Sequence, residues 1–257
     1  MERFLSYQIN PIREIGAGAF GYVEEIELYN SRGNHCGNYC RKILNPSQEI
    51  IKSLSLDEIK RRFTREVIYQ SHCNHNNITY ICLFNKHAEK PYFVMELAEY
   101  SLDKDIKNET LDEISKIKIF EMILNGVKKV HGNGYLHRDI KPQNILKFST
   151  GIYKISDFGL VKNTDSGSDT TALTAIGQAM GTQRYMAPEI LYNAEYSKQT
   201  DIFALGRVMD DLKIENENFQ TIIRKCHSID KNSRYNTIDE ILLDLAPMFG
   251  QVHDLGR

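Results

Sequence analysis

The pattern of apolar and polar positions changes near residue 100. Before that point, short runs typical of β-strands dominate, such as Gly21–Leu28 and Pro91–Leu97, and one charged stretch, Leu56–Tyr69, has a helical pattern. After it, apolar residues recur at steps of three and four, which predicts one buried helix face made of Ile114, Ile117, Phe120, Ile123, Leu124 and Val127. The pattern therefore predicts an α+β protein, with a small β-rich lobe followed by a larger, mainly helical lobe.

Composition narrows the class of protein. The chain has 257 residues and a net charge of −2, which favours one domain or two small lobes and gives no support to wrapping of nucleic acid. No apolar run approaches the roughly 18 residues that span a bilayer, and no secretory leader is visible, so we expect a soluble protein inside the cell. The five cysteines lack the second pair that would complete a zinc site, and we expect free thiols.

A glycine-rich turn occupies Gly16–Val23 between two strand-like runs. Glycines in such a turn let backbone N–H groups approach phosphate oxygens, although a plain hairpin turn has the same composition. A dinucleotide-binding site of the Rossmann type would need a helix directly after the turn. A strand follows here instead, which excludes that interpretation.

A lysine and a glutamate follow the glycine-rich turn along the chain. Lys42 lies at the end of the third predicted strand and could reach phosphates beneath the glycine turn. Glu66 lies on the following helix, where its carboxylate could pair with Lys42 and hold it. Each residue alone could equally belong to a solvated surface.

The decisive segment is His137–Asn144, with the sequence HRDIKPQN, and thirteen residues after Asn144 comes the sequence DFG at Asp157–Gly159. Together they supply a carboxylate for a hydroxyl proton, an amide and a carboxylate for a magnesium ion, and a lysine for a transferred phosphoryl group. This is a complete set of groups for phosphoryl transfer.

With these motifs the sequence resembles the protein kinase family, and the resemblance runs from about Ile12 to Leu245. It implies the two-lobed kinase fold as one catalytic domain over residues 1–257, with an N-lobe of about 1–96, a hinge of about 96–100, a C-lobe of about 101–248 and a tail at 249–257. Further matching segments are His75–Ile78, Met95–Ala98, Gly181–Glu189, Asp201–Gly206 and Arg234.

The resemblance implies a role for each motif residue. Asp139 would orient the substrate hydroxyl and accept its proton, and Lys141 would neutralise charge on the transferred group. Asn144 and Asp157 would hold Mg²⁺, for which Mn²⁺ could substitute, and Lys42 would clamp the ATP phosphates. The ATP-binding residues implied in this way are Ile15, Gly16, Ala17, Gly18, Ala19, Phe20, Gly21, Val23, Cys40, Lys42, Glu66, Met95, Glu96, Ala98, Leu146 and Asp157.

The resemblance also implies which hydroxyl accepts the phosphoryl group, which partners the protein has and where it acts. Lys141 and Thr182 resemble the Ser/Thr branch of the family, with dual specificity left open. We further expect protein substrates, no nucleic-acid partner and no membrane span. The expected location is the cytoplasm, or the host cytosol if the protein is an injected effector. A catalytically silent scaffold and a small-molecule phosphotransferase are the alternatives. The complete residue set argues against the scaffold, and the closing Ala187–Glu189 argues against the phosphotransferase.

Regulation by phosphorylation is a further hypothesis. Arg62, Arg138 and Lys162 could converge on one anionic group, such as a phosphate that the enzyme adds to its own activation loop. A solvated polar loop with incidental hydroxyls is the alternative. Candidate residues in the loop are Thr164, Ser166, Ser168, Thr170, Thr171, Thr174 and Thr182.

Two departures from the family pattern stand out. Phe203 replaces the usual tryptophan of the helix that begins near Asp201. Asp201 and Arg234 are only 33 positions apart, so the segment that carries helix G in relatives is expected to be shortened or missing.

Overall fold

The structure, a computed structural model, describes residues 2–164 and 183–254. Residue contacts divide the chain into two compact units. One comprises the chain up to Asn74 together with Thr79–Leu97, and the other comprises His75–Ile78 and the chain from Ala98 onward. Strands dominate the first unit and helices the second, so the predicted α+β class is confirmed.

The first unit is built on a six-stranded antiparallel sheet with the strand order β1-β2-β3-β4-β6-β5. Two helices, α1 and α2, connect β4 to β5. The elements are β1 (Glu2–Phe4), β2 (Tyr7–Gly18), β3 (Gly21–Asn30), β4 (His35–Leu44), α1 (Gln48–Ser53), α2 (Leu56–His72), β5 (Ile81–Asn85) and β6 (Tyr92–Glu96).

Alternation along these strands buries one apolar cluster against the sheet. Its buried members are Ile9, Ile26, Leu28, Ile43, Tyr92 and Val94. Burial of such side chains contributes about 1.5–3 kcal/mol each relative to leaving them in water. The pattern missed β1, so Lys42 lies on the fourth strand and not on the third.

Helix α2 begins where the sequence provides a cap. The side chain of Ser55 accepts a hydrogen bond from the backbone N–H of Glu58 (3.2 Å), which satisfies one of the unpaired donors of the first turn. The buried face of the helix includes Phe63, Glu66 and Gln70. The cap thus fixes the start of α2, and Glu66 lies on the buried face of this helix.

The second unit carries the other six helices of the described ranges. The elements are β7 (Tyr100–Ser101), α3 (Leu102–Asn108), α4 (Glu113–Gly132), β8 (Tyr135–Leu136), β9 (Ile145–Lys147), β10 (Tyr153–Ile155), β11 (Lys162–Asn163), α5 (Pro188–Asn193), α6 (Lys198–Leu212), α7 (Glu217–Cys226) and α8 (Ile238–Asp254). Short 3-10 turns lie at Pro142–Asn144, Gln183–Tyr185 and Lys231–Ser233.

Helix α4 confirms the predicted apolar face. Of the six apolar residues that predicted it, all but Ile114 are buried, and Ile114 is half-buried in the first turn. Asp112 caps the helix by accepting a hydrogen bond from the N–H of Ser115 (2.6 Å).

Helices α6 and α7 pack closely against each other. A Cβ placed on Gly206 would lie 2.9 Å from the Cβ of Cys226, so only glycine permits this approach. Helix α7 is the one α-helix between α6 and Arg234. This agrees with the shortened segment that the spacing predicts. None of the helices in the described parts of the chain combines the length and apolar character needed to cross a membrane.

Candidate active site

The glycine-rich turn is a tight hairpin between β2 and β3. Gly18 pairs with Gly21, and Ala19 and Phe20 form the turn itself. The carbonyl oxygen of Phe20 accepts a hydrogen bond from the N–H of Asn45 (3.0 Å), and that of Ala19 accepts one from Ser47 (2.9 Å). These bonds fix the turn to the segment that follows β4. Residues Ile15–Gly18 are exposed, so their backbone is accessible to a ligand.

Gly21 is required by its neighbour on β4. A Cβ at this position would lie 1.9 Å from the carbonyl oxygen of Ile43, a distance that no side chain can adopt. A Cβ on Gly16 or Gly18, in contrast, would meet no atom within 4 Å. The two exposed glycines leave open space beside the backbone, whereas Gly21 keeps the hairpin against β4.

Lys42 and Glu66 form the ion pair that the sequence predicts. The Nζ of Lys42 lies 2.6 Å from the Oε1 of Glu66. The Glu66 side chain is 6% exposed and that of Lys42 is 23% exposed. Because a buried carboxylate is unfavourable without a cation, the pair fixes both side chains. The pair thus holds an ammonium group between Val23 and Phe93, its neighbours across the sheet.

The end of β6 carries the predicted hinge. Cys40 on β4 lies opposite Met95, and its thiol donates a hydrogen bond to the carbonyl oxygen of Glu96 (3.3 Å). Burial raises the pKa of Cys40 to about 12, so this thiol stays protonated at neutral pH. Glu96 also accepts a bond from the N–H of Tyr80 (2.8 Å). From Ala98 onward the chain belongs to the second unit.

In the second unit, Asp139 is held by its own loop. The Nζ of Lys141 lies 3.0 and 2.8 Å from its two carboxylate oxygens. The Nδ2 of Asn144 donates to the same carboxylate (2.8 Å) and to the carbonyl oxygen of Asp139 (2.9 Å). Asp139 is 7% exposed. Lysine and amide together therefore fix one nearly buried carboxylate in a single orientation.

The loop that carries Asp139 is attached to helix α6. The carboxylate of Asp201 accepts hydrogen bonds from the backbone N–H of His137 (2.8 Å) and of Arg138 (2.9 Å), and it lies 2.8 Å from the Nε2 of His131. Burial by itself would raise the pKa of Asp201, but these bonds outweigh it and the pKa lies below its usual range. An ionised, buried carboxylate thus holds the loop.

Asp157 lies on a strained part of the backbone beside this loop. Its φ is +63°, in the left-handed region that non-glycine residues seldom adopt. The preceding residue, Ser156, donates its N–H to the carbonyl oxygen of Asn144 (2.9 Å). Phe158 is buried, and its ring meets that of His137 edge to face with centroids 5.1 Å apart. These contacts connect the segment Asp157–Gly159 to the segment His137–Asn144.

The residues expected to bind metal have suitable donor atoms. Mg²⁺ prefers oxygen ligands. Because Asn144 uses its amide nitrogen on Asp139, its carbonyl oxygen is the atom left for a cation, and Asp157 adds a carboxylate. Across the described residues no three His, Cys, Asp or Glu side chains form a metal-binding group. A cation at Asn144 and Asp157 therefore needs further oxygens, such as those of a nucleotide.

Arg234 confirms the expected link to Glu189. Two guanidinium nitrogens bind the two carboxylate oxygens at 2.7 and 2.9 Å, and the arginine side chain is fully buried. Arg234 also donates to the carbonyl oxygens of Ser228, Gln199 and Ile229. The start of α5 is thereby held to the segment before α8.

Sequence reasoning missed Asp211. It accepts a hydrogen bond from the hydroxyl of Tyr185 (2.6 Å) and pairs with Arg184 (2.5 Å), so it fixes the turn Gln183–Tyr185 to the end of α6. Burial and this bond raise the pKa of Tyr185. No motif marks Asp211, because its role depends on α6 passing beside the turn.

The proposed regulatory residues are only partly described. Arg62 pairs with Glu58 on α2, Lys162 lies on β11, and the hydroxyl of Thr164 donates to the carbonyl oxygen of Gly134 (2.9 Å). Arg62 belongs to the first unit and Lys162 to the second. The remaining candidates lie outside the described residues: Ser166, Ser168, Thr170, Thr171, Thr174 and Thr182.

Comparison with known proteins adds independent evidence. The protein kinase domain family matches residues 9–247. A serine/threonine-protein kinase H1 homolog of Danio rerio is 31% identical over 75% of this chain and 43% of its own length. The serine/threonine-protein kinase pkn3 of Myxococcus xanthus is 31% identical over 62% of this chain and 30% of its own length.

A third relative is the probable serine/threonine-protein kinase PknB of Lactococcus lactis, which is 32% identical over 59% of this chain and 24% of its own length. The chain thus spans less than half the length of these relatives. The glycine hairpin, the lysine–glutamate pair and the loop around Asp139 agree with the family match over nearly the whole sequence. The chain belongs to the protein kinase domain family.

Proposed function

We propose that the chain is an ATP-dependent serine/threonine protein kinase. The observation that carries the proposal is the fixed carboxylate of Asp139, which Lys141 and Asn144 hold in one orientation on a loop bound to Asp201. Phosphoryl transfer depends on positioned charges more than on covalent chemistry. A rigid carboxylate with a lysine beside it is suited to that task.

Each residue of the loop has a separate role in this proposal. Asp139 accepts a hydrogen bond from the serine or threonine hydroxyl, directs its oxygen toward the γ-phosphorus and takes the proton as the new O–P bond forms, while the bond from the γ-phosphorus to the bridging oxygen breaks and ADP leaves. Lys141 stabilises negative charge on the phosphoryl oxygens in the transition state. Asn144 and Asp157 hold Mg²⁺, or Mn²⁺ in its place, and the ion supplies charge neutralisation between phosphates.

In the first unit, the proposal assigns ATP contacts to the glycine hairpin and to the ion pair. The backbone of Gly16–Gly21 covers the phosphates, and Lys42, held by Glu66, binds the α- and β-phosphates. Val23 and the backbone of Glu96 contact the adenine. In the second unit, Leu146 and the backbone of Ala98 do the same.

The wider setting is proposed on the same basis. Substrates are proteins with serine or threonine hydroxyls, among them the chain's own activation loop. Residues 1–257 form one catalytic domain that acts in the cytoplasm and has no nucleic-acid partner. The printed names of the relatives, all serine/threonine-protein kinases, support the choice of acceptor.

The test is transfer of labelled γ-phosphate from Mg-ATP to a generic basic protein, followed by phosphoamino acid analysis. Asp139→Asn should lower the rate about 100-fold or more, because general base catalysis contributes that much. It should leave nucleotide binding within about twofold. Asp239→Asn removes an exposed carboxylate that pairs with Lys128 and serves as the matched control.

Phosphoserine or phosphothreonine in the wild type, with loss only in Asp139→Asn, supports the proposal. Nucleotide binding without any transfer would indicate a scaffold, and transfer only to an aminoglycoside or choline-like alcohol would indicate a small-molecule phosphotransferase. Either result overturns it, as does an unchanged rate in Asp139→Asn.

A further inference from the structure

One aromatic residue outside every motif contacts the catalytic loop. Tyr196 lies in the short link between α5 and α6, and the Cζ of Arg138 lies 3.7 Å from the centroid of its ring. This is a close cation–π distance, since such contacts extend to about 6 Å. Arg138 directly precedes Asp139, so the ring contacts the residue next to the proposed base.

Arg138 needs such support because its backbone is strained. Its φ is +70°, which is unfavourable for a residue with a long side chain. The N–H of Arg138 is held by Asp201, but this bond restrains only one side of the residue. Within residues 2–164 and 183–254, the guanidinium forms no ion pair, and its Nε is buried without an acceptor. Among the described residues, the Tyr196 ring is a contact that restrains this side chain.

Tyr196 is itself well anchored. It packs against the buried cluster of Ala187, Ile190 and Phe203, which joins the start of α5 to α6. The next residue, Ser197, is the N-cap of α6, and its backbone N–H donates a hydrogen bond to the hydroxyl oxygen of Thr200 (3.4 Å). The ring therefore occupies a position set by two helices, and Arg138 stacks on a fixed surface.

We propose that Tyr196 is a positioning residue for phosphoryl transfer, and that its ring holds the Arg138 guanidinium and so fixes the backbone that presents Asp139. The inference rests on the proposed kinase activity and deepens it. The cation–π contact restrains the side chain of Arg138 while Asp201 restrains its backbone. Loss of the ring lets the strained residue relax and displaces the neighbouring carboxylate.

The test distinguishes the aromatic face of Tyr196 from the apolar volume of its side chain. Tyr196→Leu keeps apolar packing against the α5–α6 cluster but removes the π face, whereas Tyr196→Phe keeps that face. We expect Tyr196→Leu to lower kcat about tenfold with KM for ATP within twofold, and Tyr196→Phe to retain at least half of kcat. Tyr192→Ala removes a tyrosine that is 84% exposed on the preceding helix, and it serves as the control with unchanged kcat.

A double-mutant cycle shows whether Tyr196 acts through Arg138. In an Arg138→Met background, which is already slow, Tyr196→Leu should change kcat less than twofold, because the cation it held is gone. A purely structural role for Tyr196 predicts the same tenfold loss in both backgrounds. Urea unfolding of the four proteins checks that each is folded at the assay temperature.

Equal losses in the two backgrounds overturn the inference, as does full kcat in Tyr196→Leu or a loss in Tyr196→Phe equal to that in Tyr196→Leu. These outcomes are measured against an active wild type and leave the kinase proposal intact. A folded wild type that transfers no phosphate overturns the kinase proposal, and the positioning role with it.

Discussion

At the scale of single residues, the site depends on a few positions where the backbone is sterically constrained or strained. Gly21 lies where any Cβ would meet the carbonyl oxygen of Ile43, and Asp157 and Arg138 have positive φ values without being glycine. Strain of this kind persists only where neighbouring contacts enforce it. Here the contacts are the β3–β4 pairing and the bonds to Asp201 and Asn144.

Gly21→Ala should destabilise the first unit by about 2 kcal/mol or more, because the new methyl group would displace β4 or the hairpin turn. Gly18→Ala is the matched control, because a Cβ at this position would meet no atom within 4 Å. This substitution should change the free energy of unfolding by less than about 1 kcal/mol. Urea unfolding of both variants measures the difference. Equal stabilities would show that the close approach to Ile43 is absent in solution.

At the scale of elements, helix α6 organises the second unit. Its first half carries Asp201, which binds the catalytic loop, and its middle carries Gly206, against which α7 packs. The buried pair of Glu189 and Arg234 then holds α5 against the segment before α8. The catalytic loop and the start of α5 thus depend on buried polar contacts as well as on apolar packing.

Glu189→Gln should lower the free energy of unfolding by about 3 kcal/mol, because it leaves the guanidinium of a fully buried arginine without its counter-charge. The control is Glu195→Gln, which removes the carboxylate of a partly exposed pair with Lys231 and should cost less than about 1 kcal/mol. Urea or thermal unfolding distinguishes the two. A cost below 1 kcal/mol for both would mean that water reaches the Glu189 pair.

Most elements could be predicted from the sequence because their signals are local. The apolar period over α4 and the strand-like runs at β3 and β6 are confirmed. Strand β1 was missed because its three residues carry no period, and it exists through pairing with β2 and the ion pair of Glu2 with buried Arg41. Such non-local contacts cannot be read from a pattern.

In the candidate site, too, residues with a local sequence signal could be predicted and residues placed by distant contacts could not. Motifs identified Lys42 with Glu66 and Asp139 with Asn144, because phosphoryl transfer requires those residue types at those spacings. Motifs did not identify Asp211 or Tyr196. Their roles arise from the packing of α6 against a turn and a loop that are distant in the sequence, and tyrosine or aspartate alone has no spacing signature.

At the scale of the whole molecule, the buried ring of His137 makes stability depend on pH. His137 is fully buried, and burial lowers its pKa from the ordinary value of 6.5. Its Nδ1 accepts a hydrogen bond from the N–H of Asp139 (3.4 Å), which also favours the neutral ring. As pH falls below 6.5, the unfolded chain takes up a proton that the folded chain refuses, so folding becomes less favourable.

We therefore expect the free energy of unfolding to decrease between pH 7.5 and pH 5.5, with His137 contributing at most about 1.4 kcal/mol per pH unit. His137→Phe keeps a ring against Phe158 but cannot titrate, and its stability should depend less on pH in that range. Urea titrations at both pH values measure this. An identical slope in wild type and variant would assign the effect to other groups.

The carboxylate of Asp201 has a consequence for how the protein exchanges hydrogen with solvent. The amides of residues 137 and 138 lie outside any helix or strand, yet their protons bind a side chain that is 1% exposed. They should exchange with deuterium as slowly as the centre of α6, and far more slowly than the amide of Asp112, the exposed N-cap of α4. Hydrogen exchange at these two positions, followed by mass spectrometry, would then report the rate at which α6 opens.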